Sequence, residues 1–263
     1  MPDEILLSVD ERGVATITLN RPDIHNAFDD SLIQNMLGIL HEINNQSKIK
    51  VVLLTANGKS FSSGANINWM RRMASYSYEE NRKDATALSE LMQTLKFLQK
   101  PTIARVQGPA LGGGVGLVAC CDIVIASTQA SFCLSEVKIG LIPAVISPFV
   151  ISVIGERAAR RYFLTAEQMD ANEAHRLGLA NEVVEPDQLD AAVQKILEQL
   201  LHNSPQAILA AKELINRVST SLYSDEMLKQ NVEAIAAIRV STEGQEGLAA
   251  FLEKRKPVWE RKG

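Results

Sequence analysis

Two nearly unbroken apolar runs, Val51-Val52-Leu53-Leu54-Thr55 and Thr102-Ile103-Ala104-Arg105-Val106, constrain this chain more than any other feature. A strand with one face in water alternates apolar and polar residues. A strand covered on both faces does not, and it needs helices on either side. The sequence supplies them. Asp29, Asp30 and Ser31 offer N-caps for a helix whose apolar positions are Leu32, Ile33, Met36, Leu37, Leu40 and Ile43. Leu88, Leu91, Met92, Leu95 and Leu98 predict a second helix over about residues 79–100. An earlier strand, Val14 to Leu19, stops at Asn20-Arg21-Pro22-Asp23, and Asp122 to Ser127 reads as another. This β-α-β succession predicts an α/β core with mainly parallel strands.

Further along, Ser147-Pro148 predicts an N-cap with proline at the first helical position. Thr165-Ala166-Glu167-Gln168 has the form of a capping box, and Gly178 closes the short helix expected after it. From about Pro186 the chain reads as helix punctuated by Ser204-Pro205 and Ser224-Asp225, ending in basic residues (Lys254-Arg255-Lys256, then Arg261-Lys262). We place a boundary near residue 200, dividing an α/β core (1–200) from a helical region (201–263). The apolar positions Ile235, Ala236, Ile238, Leu248 and Phe251 of that region either pack on the chain's own core or meet neighbouring subunits.

Bulk properties exclude several classes. A length of 263 residues fits one large domain with a smaller helical appendage. Net charge −4 leaves no basic footprint for nucleic acid. No apolar run approaches the roughly 18–20 residues of a membrane span. The acidic start, Met1-Pro2-Asp3-Glu4, resembles neither a signal nor a transit peptide. Cys120, Cys121 and Cys133 lie in apolar surroundings, the pattern of buried reduced thiols in a cytoplasmic protein. The four histidines are scattered and no metal-ligand spacing is present. No cofactor is expected.

Three segments carry chemistry. Gly112-Gly113-Gly114 opens a helix directly after a buried strand. The first N–H groups of a helix lack internal partners and carry partial positive charge, so they suit an anion or a developing oxyanion. Close helix–strand packing is the commoner use of such glycines, and Gly-Lys-Ser/Thr, the mark of a nucleotide-binding P-loop, is missing. Phe61-Ser62-Ser63-Gly64-Ala65 is a second small-residue loop after a strand, either an ordinary turn or the source of a second N–H. Glu136 stands between apolar segments. Desolvation there raises a carboxyl pKa toward neutrality, as general acid-base chemistry requires; an exposed pairing with Lys138 is the other reading.

Taken together, in this order and spacing, these segments resemble the crotonase (enoyl-CoA hydratase/isomerase) family. The supporting pieces are Asn20-Arg21-Pro22 with Asn26-Ala27-Phe28, Phe61 to Asn66, Gln107 to Gly114, Cys121-Asp122-Ile123, Glu136 with Gly140-Leu141-Ile142-Pro143, and Phe251 to Pro257. The resemblance implies a spiral of ββα repeats with a helical C-terminal trimerisation region, assembled as a homotrimer or a dimer of trimers. It implies an acyl-CoA thioester substrate. Carried over by position, the main-chain N–H groups of Ala65 and Gly113 form the oxyanion hole and Glu136 moves the proton at the α-carbon. Ser63, Asn66, Ile67, Asn68, Trp69, Gly112, Gly116 and Ala144 fall at substrate-binding positions.

The chain departs from the family in one important place. Gly116 stands where the family's hydratases usually carry a first glutamate. Asn66 replaces a common aspartate, and Ala144-Val145-Ile146-Ser147 replaces a glycine-rich stretch. With Asn68 to Met73 and Gly116 to Asp122, these departures resemble the bacterial methylglutaconyl-CoA and γ-carboxygeranoyl-CoA hydratase branch. That narrower resemblance implies hydration of a branched or carboxylated 2-enoyl-CoA, with the substrate's carboxylate or another polar group orienting the water. A lone Glu136 also suits a Δ3,Δ2-enoyl-CoA isomerase. A non-catalytic acyl-CoA- or RNA-binding member of the fold is the reading of another class.

Overall fold

The residues that do not alternate build the centre of the molecule. In the computed structural model, which describes residues 3–260, Ile5–Val9 (β1) and Val14–Leu19 (β2) form an antiparallel hairpin. Asp30–Asn45 (α1) follows, capped by Asp29, whose side chain accepts from the Leu32 N–H. Then come Val51–Ala56 (β3), Ile67–Met73 (α2), Tyr78–Lys96 (α3), Thr102–Val106 (β4), Ala110–Leu111 (β5), Gly113–Cys120 (α4), Ile123–Ser127 (β6) and Ser131–Cys133 (β7). Ser147–Thr165 (α5), Gln168–Asp170 (β8), Ala171–Arg176 (α6), Glu182–Val184 (β9) and Leu189–Leu201 (α7) complete the core. Pro205–Thr220 (α8), Asp225–Val240 (α9) and Thr242–Leu252 (α10) form the helical end.

The main sheet runs β1-β2-β3-β4-β6-β9, and every pair after the hairpin is parallel. Both faces are covered. Ile17, Leu19, Val52, Leu54, Ala104 and Val106 pack with the apolar sides of α1, α3 and α4. Val14, Val51, Leu53, Ile103 and Ile125 pack against Leu189, Val193 and Leu197 of α7. Each fully buried Leu, Ile or Val contributes about 1.5–3 kcal/mol relative to leaving it exposed, which explains why these strands carry apolar residues at consecutive positions.

A second sheet, β5-β7-β8, stands beside the first, its two pairs parallel and antiparallel respectively. Isolated parallel bridges, Phe28 with Ala65 and Ser62 with Ala110, extend it. Successive strand-to-helix junctions therefore stack on one another, which is the geometry of a spiral.

Several boundaries differ from expectation. Helix α3 ends at Lys96 rather than near Lys100, since Phe97 leaves helical geometry and the Gln99 N–H donates to Asn44 Oδ1 instead of a helical carbonyl. Its start is fixed by a capping box, Ser77 with Glu80. The pattern at Thr165 is no capping box. Ala166 ends α5 in the left-handed region, and Gln168 is drawn into β8 opposite Cys133, so Asp170 caps the next helix. Ser147 is the first residue of α5 rather than its cap. Gly178 does close α6, at φ +88°.

A part-buried ion pair joins the helical end to the core. Lys212 Nζ, on α8, donates to Asp122 Oδ2 at 2.7 Å and to Lys100 O at 3.0 Å. The same Asp122 oxygen accepts from the N–H and hydroxyl of Thr102. Beyond this anchor, Ile235, Ala236, Leu248 and Phe251 remain exposed on the single chain, as do Leu222 and Tyr223. Arg255 pairs with Glu246 and Glu253, and Arg261-Lys262 lie outside the described residues.

Candidate active site

Phe28 organises the site. It accepts and donates in the bridge to the small-residue loop: its N–H bonds to Gly64 O and its carbonyl accepts from Asn66 N–H, both at 2.6 Å. Those two bonds flank Ala65, whose own N–H faces the other side of the strand and meets no acceptor among the described residues. The Phe28 ring covers Gly113, where an added Cβ would lie 3.5 Å from ring carbons. Gly113 is the first residue of α4, so its N–H has no intrahelical acceptor, and none is found elsewhere among the described residues. It carries the partial positive charge of a helix N-terminus.

Gly112, between strand and helix, takes φ +50°, ψ −118° and donates to Cys133 O. That conformation is closed to ordinary side chains, and an added Cβ would stand 3.1 Å from Glu136 Oε1. Gly64 lies alongside at φ +83°, its missing Cβ 3.1 Å from Leu111 O. The two loops are thus packed at backbone contact, which requires glycine on both.

Glu136 opens a short 3₁₀ turn, Glu136–Ile139, so its carboxyl folds back onto Gly112 rather than into water. Its Oε2 is buried and has no partner among the described residues. Burial pushes its pKa up, opposed only by its own main-chain N–H. The alternative pairing with Lys138 does not form.

These groups open on one cavity of about 680 Å³. Ala65, Gly113 and Glu136 all line it, as do the expected Ser63, Trp69, Gly112 and Ala144. Four expected residues do not. Asn66 caps α2 by accepting from Asn68 and Trp69 N–H. Ile67 is exposed, and Asn68 accepts from Arg71. Gly116 is likewise not in the lining; it is buried in α4 beneath Ile146, whose side chain occupies the space in front of it.

Sequence reading missed the wall contributed by α3, where Asn81, Asp84, Ala85 and Leu88 face the cavity. The i, i+3, i+4 spacing of 81, 84, 85 and 88 is the signal that marks them as one face. Asp84 Oδ2 accepts from Trp69 Nε1 at 2.8 Å. Its pKa is raised, chiefly by burial. No lysine, arginine or histidine is among the lining residues. Among the described residues no group of three or more His, Cys, Asp or Glu side chains is placed to hold a metal ion, and no helix is long and apolar enough to cross a membrane.

This arrangement defines a class in which main-chain donors and a desolvated carboxyl serve one cleft. The profile of the enoyl-CoA hydratase/isomerase family matches residues 10–262, and the chain belongs to that family, the crotonases. It is 36% identical over 248 residues to a short-chain-enoyl-CoA hydratase from Clostridium acetobutylicum, covering 94% of each chain. It is 30% identical to a crotonyl-CoA hydratase from Syntrophomonas wolfei, covering 97% of this chain and 96% of the other. The crystal structure of an enoyl-CoA hydratase from Shewanella pealeana superposes with a TM-score of 0.95 at 48% identity, covering 98% of this chain and 96% of that one.

Proposed function

We propose that this protein is an enoyl-CoA hydratase, a hydro-lyase that reversibly adds water across the 2,3 double bond of a 2-enoyl-CoA. The observation that carries the reading is the meeting in one cleft of two unpartnered main-chain N–H groups, at Ala65 and Gly113, with the buried carboxyl of Glu136. The thioester oxygen accepts from both N–H groups. As oxygen adds at C3, negative charge moves onto that atom, and fixed donors stabilise it; one such donor is worth roughly 10²–10³ in rate. Glu136 then protonates C2. Its raised pKa enlarges the protonated fraction available near neutral pH. Ser63, Trp69, Gly112 and Ala144 contact the acyl thioester, with Asn66, Ile67 and Asn68 shaping the rim. Hydration by the named relatives supports the reaction type.

The acyl group is branched or carboxylated, of the 3-methylglutaconyl type. The support is the narrower sequence resemblance. With no lysine, arginine or histidine in the lining, a distal carboxylate is met by hydroxyls such as Ser63 and Ser135 or stays at the open mouth. Residues 201–263 form an oligomerisation region, supported by the apolar side chains that α9 and α10 leave exposed; sedimentation analysis showing a stable monomer would contradict this.

The test is a pair of assays. The purified protein is given a 2-enoyl-CoA and, separately, a 3-enoyl-CoA. Formation of a 3-hydroxyacyl-CoA from the first supports hydration. Conversion of the second to the 2-enoyl ester without hydration supports the isomerase, which needs one proton shuttle only. Equal turnover of a plain short-chain substrate and the carboxylated one removes the proposed acyl preference.

A further inference from the structure

Hydration handles protons at two atoms. The attacking water loses one as the C3–O bond forms, and C2 gains one as the enolate collapses. Glu136 sits against Gly112 and serves C2. The water proton needs a second acceptor. Among the residues that line the cavity only two carry an ionisable side chain, Glu136 and Asp84. Ser63, Ser135 and Asn81 are neutral, and the remaining lining is apolar or glycine.

We propose that Asp84 is the carboxylate that holds and deprotonates the attacking water, an assignment that rests on the hydratase reading above. Asp84 lies on α3, a different wall from the turn that carries Glu136. Trp69 Nε1 donates to Oδ2, and Oδ1 has no partner among the described residues, which leaves one oxygen for a water. Trp69 is itself fixed to the oxyanion loop. It is 5% exposed, and its main-chain N–H is capped by Asn66, the residue after Ala65. The unbroken path Ala65, Asn66, Trp69, Asp84 therefore registers this carboxylate to one of the amides that face the thioester oxygen. Partial burial, the largest influence on the group, makes it a better base than a solvated aspartate.

The proton count closes. Water gives HO to C3 and H⁺ to Asp84, while protonated Glu136 gives H⁺ to C2. After release of the 3-hydroxyacyl ester, solvent takes the proton from Asp84 and returns one to Glu136. No other reactant is required.

The experiment separates water chemistry from α-carbon chemistry. Asp84→Asn is measured for hydration of a 2-enoyl-CoA and for exchange of α-hydrogens of a saturated acyl-CoA with D₂O. Exchange uses the thioester site and Glu136 but no attacking water. The expected result is a loss of hydration of about 10²-fold or more with exchange kept within about threefold. Trp69→Phe, which removes the Nε1–H donor and shrinks the ring, is expected to lower hydration by about tenfold more than it lowers exchange. Hydration by folded Asp84→Asn within threefold of the parent overturns the assignment, as does a parallel loss of both activities, which marks Asp84 as structural. Should Asp84→Asn not fold, Trp69→Phe decides in the same way. A wild-type protein that exchanges α-hydrogens but hydrates no 2-enoyl-CoA overturns the hydratase reading itself, and this inference with it.

Discussion

Ile146 closes over Gly116. A Cβ on that glycine would stand 3.0 Å from Ile146 Cβ and 3.1 Å from Met92 Cε, with Ile146 Cγ2 nearer still. The two residues are one packing unit, since the side chain absent from α4 is the space that the start of α5 fills.

It follows that Gly116→Ala destabilises the protein although alanine favours helix. The overpacking cost of about 1–3 kcal/mol exceeds the gain in helix propensity of about 1 kcal/mol or less. In an Ile146→Ala background the same substitution is expected to be neutral or stabilising. Chemical denaturation of the four proteins of this cycle gives the coupling; additive effects would show that the two sites are independent.

Glu136→Gln is expected to lower turnover by about 10²–10⁴-fold with circular dichroism unchanged. The pH dependence of stability has a definite sign. The folded pKa is raised by burial, so the folded state holds this proton more tightly than the unfolded chain. The resulting stabilisation is complete below the ordinary carboxyl range and is lost as pH rises through the raised value. The parent should therefore lose stability relative to Glu136→Gln across that window and run parallel to it above. Denaturation midpoints of both proteins as a function of pH check this.

Gly112→Ala tests the junction of the two loops. It places a side chain at φ +50° and 3.1 Å from Glu136 Oε1. Strain of about 1–3 kcal/mol is expected, with a fall in kcat larger than any change in KM because the carboxyl is displaced. Unchanged kcat in a folded variant would show that Glu136 has no fixed seat.

Lys212→Met breaks the anchor of α8. Lys212 is 9% exposed and Asp122 24% by side chain, so the carboxylate left behind is partly solvated. We expect a cost of about 2–4 kcal/mol, at or below the range for fully buried pairs. Thermal unfolding and limited proteolysis near residue 204 report it.

The sequence displays some of this architecture openly and hides the rest for physical reasons. The covered strands β3 and β4 and helix α1 are legible because burial on both faces and helical spacing act over many residues. The sheet of β5, β7 and β8 is not, since two- and three-residue strands carry no period. Local motifs mislead where tertiary pairing overrides them, as at Thr165 to Gln168, where pairing with β7 replaces the capping box. At the site, Ala65, Gly113 and Glu136 are found from sequence through resemblance and are brought to one cavity by the fold. The contact of Trp69 with Asp84 joins separate helices across fifteen positions, and that of Lys212 with Asp122 spans ninety; neither leaves a local trace.

The unpartnered N–H groups of residues 65 and 113 belong to the polypeptide itself. Side-chain replacement can tilt or crowd them but cannot delete them, so alanine scanning is blind to these two donors. Ester-for-amide substitution at either position, installed by semisynthesis, removes the N–H donor and also weakens the preceding carbonyl, Gly64 O or Gly112 O, as an acceptor.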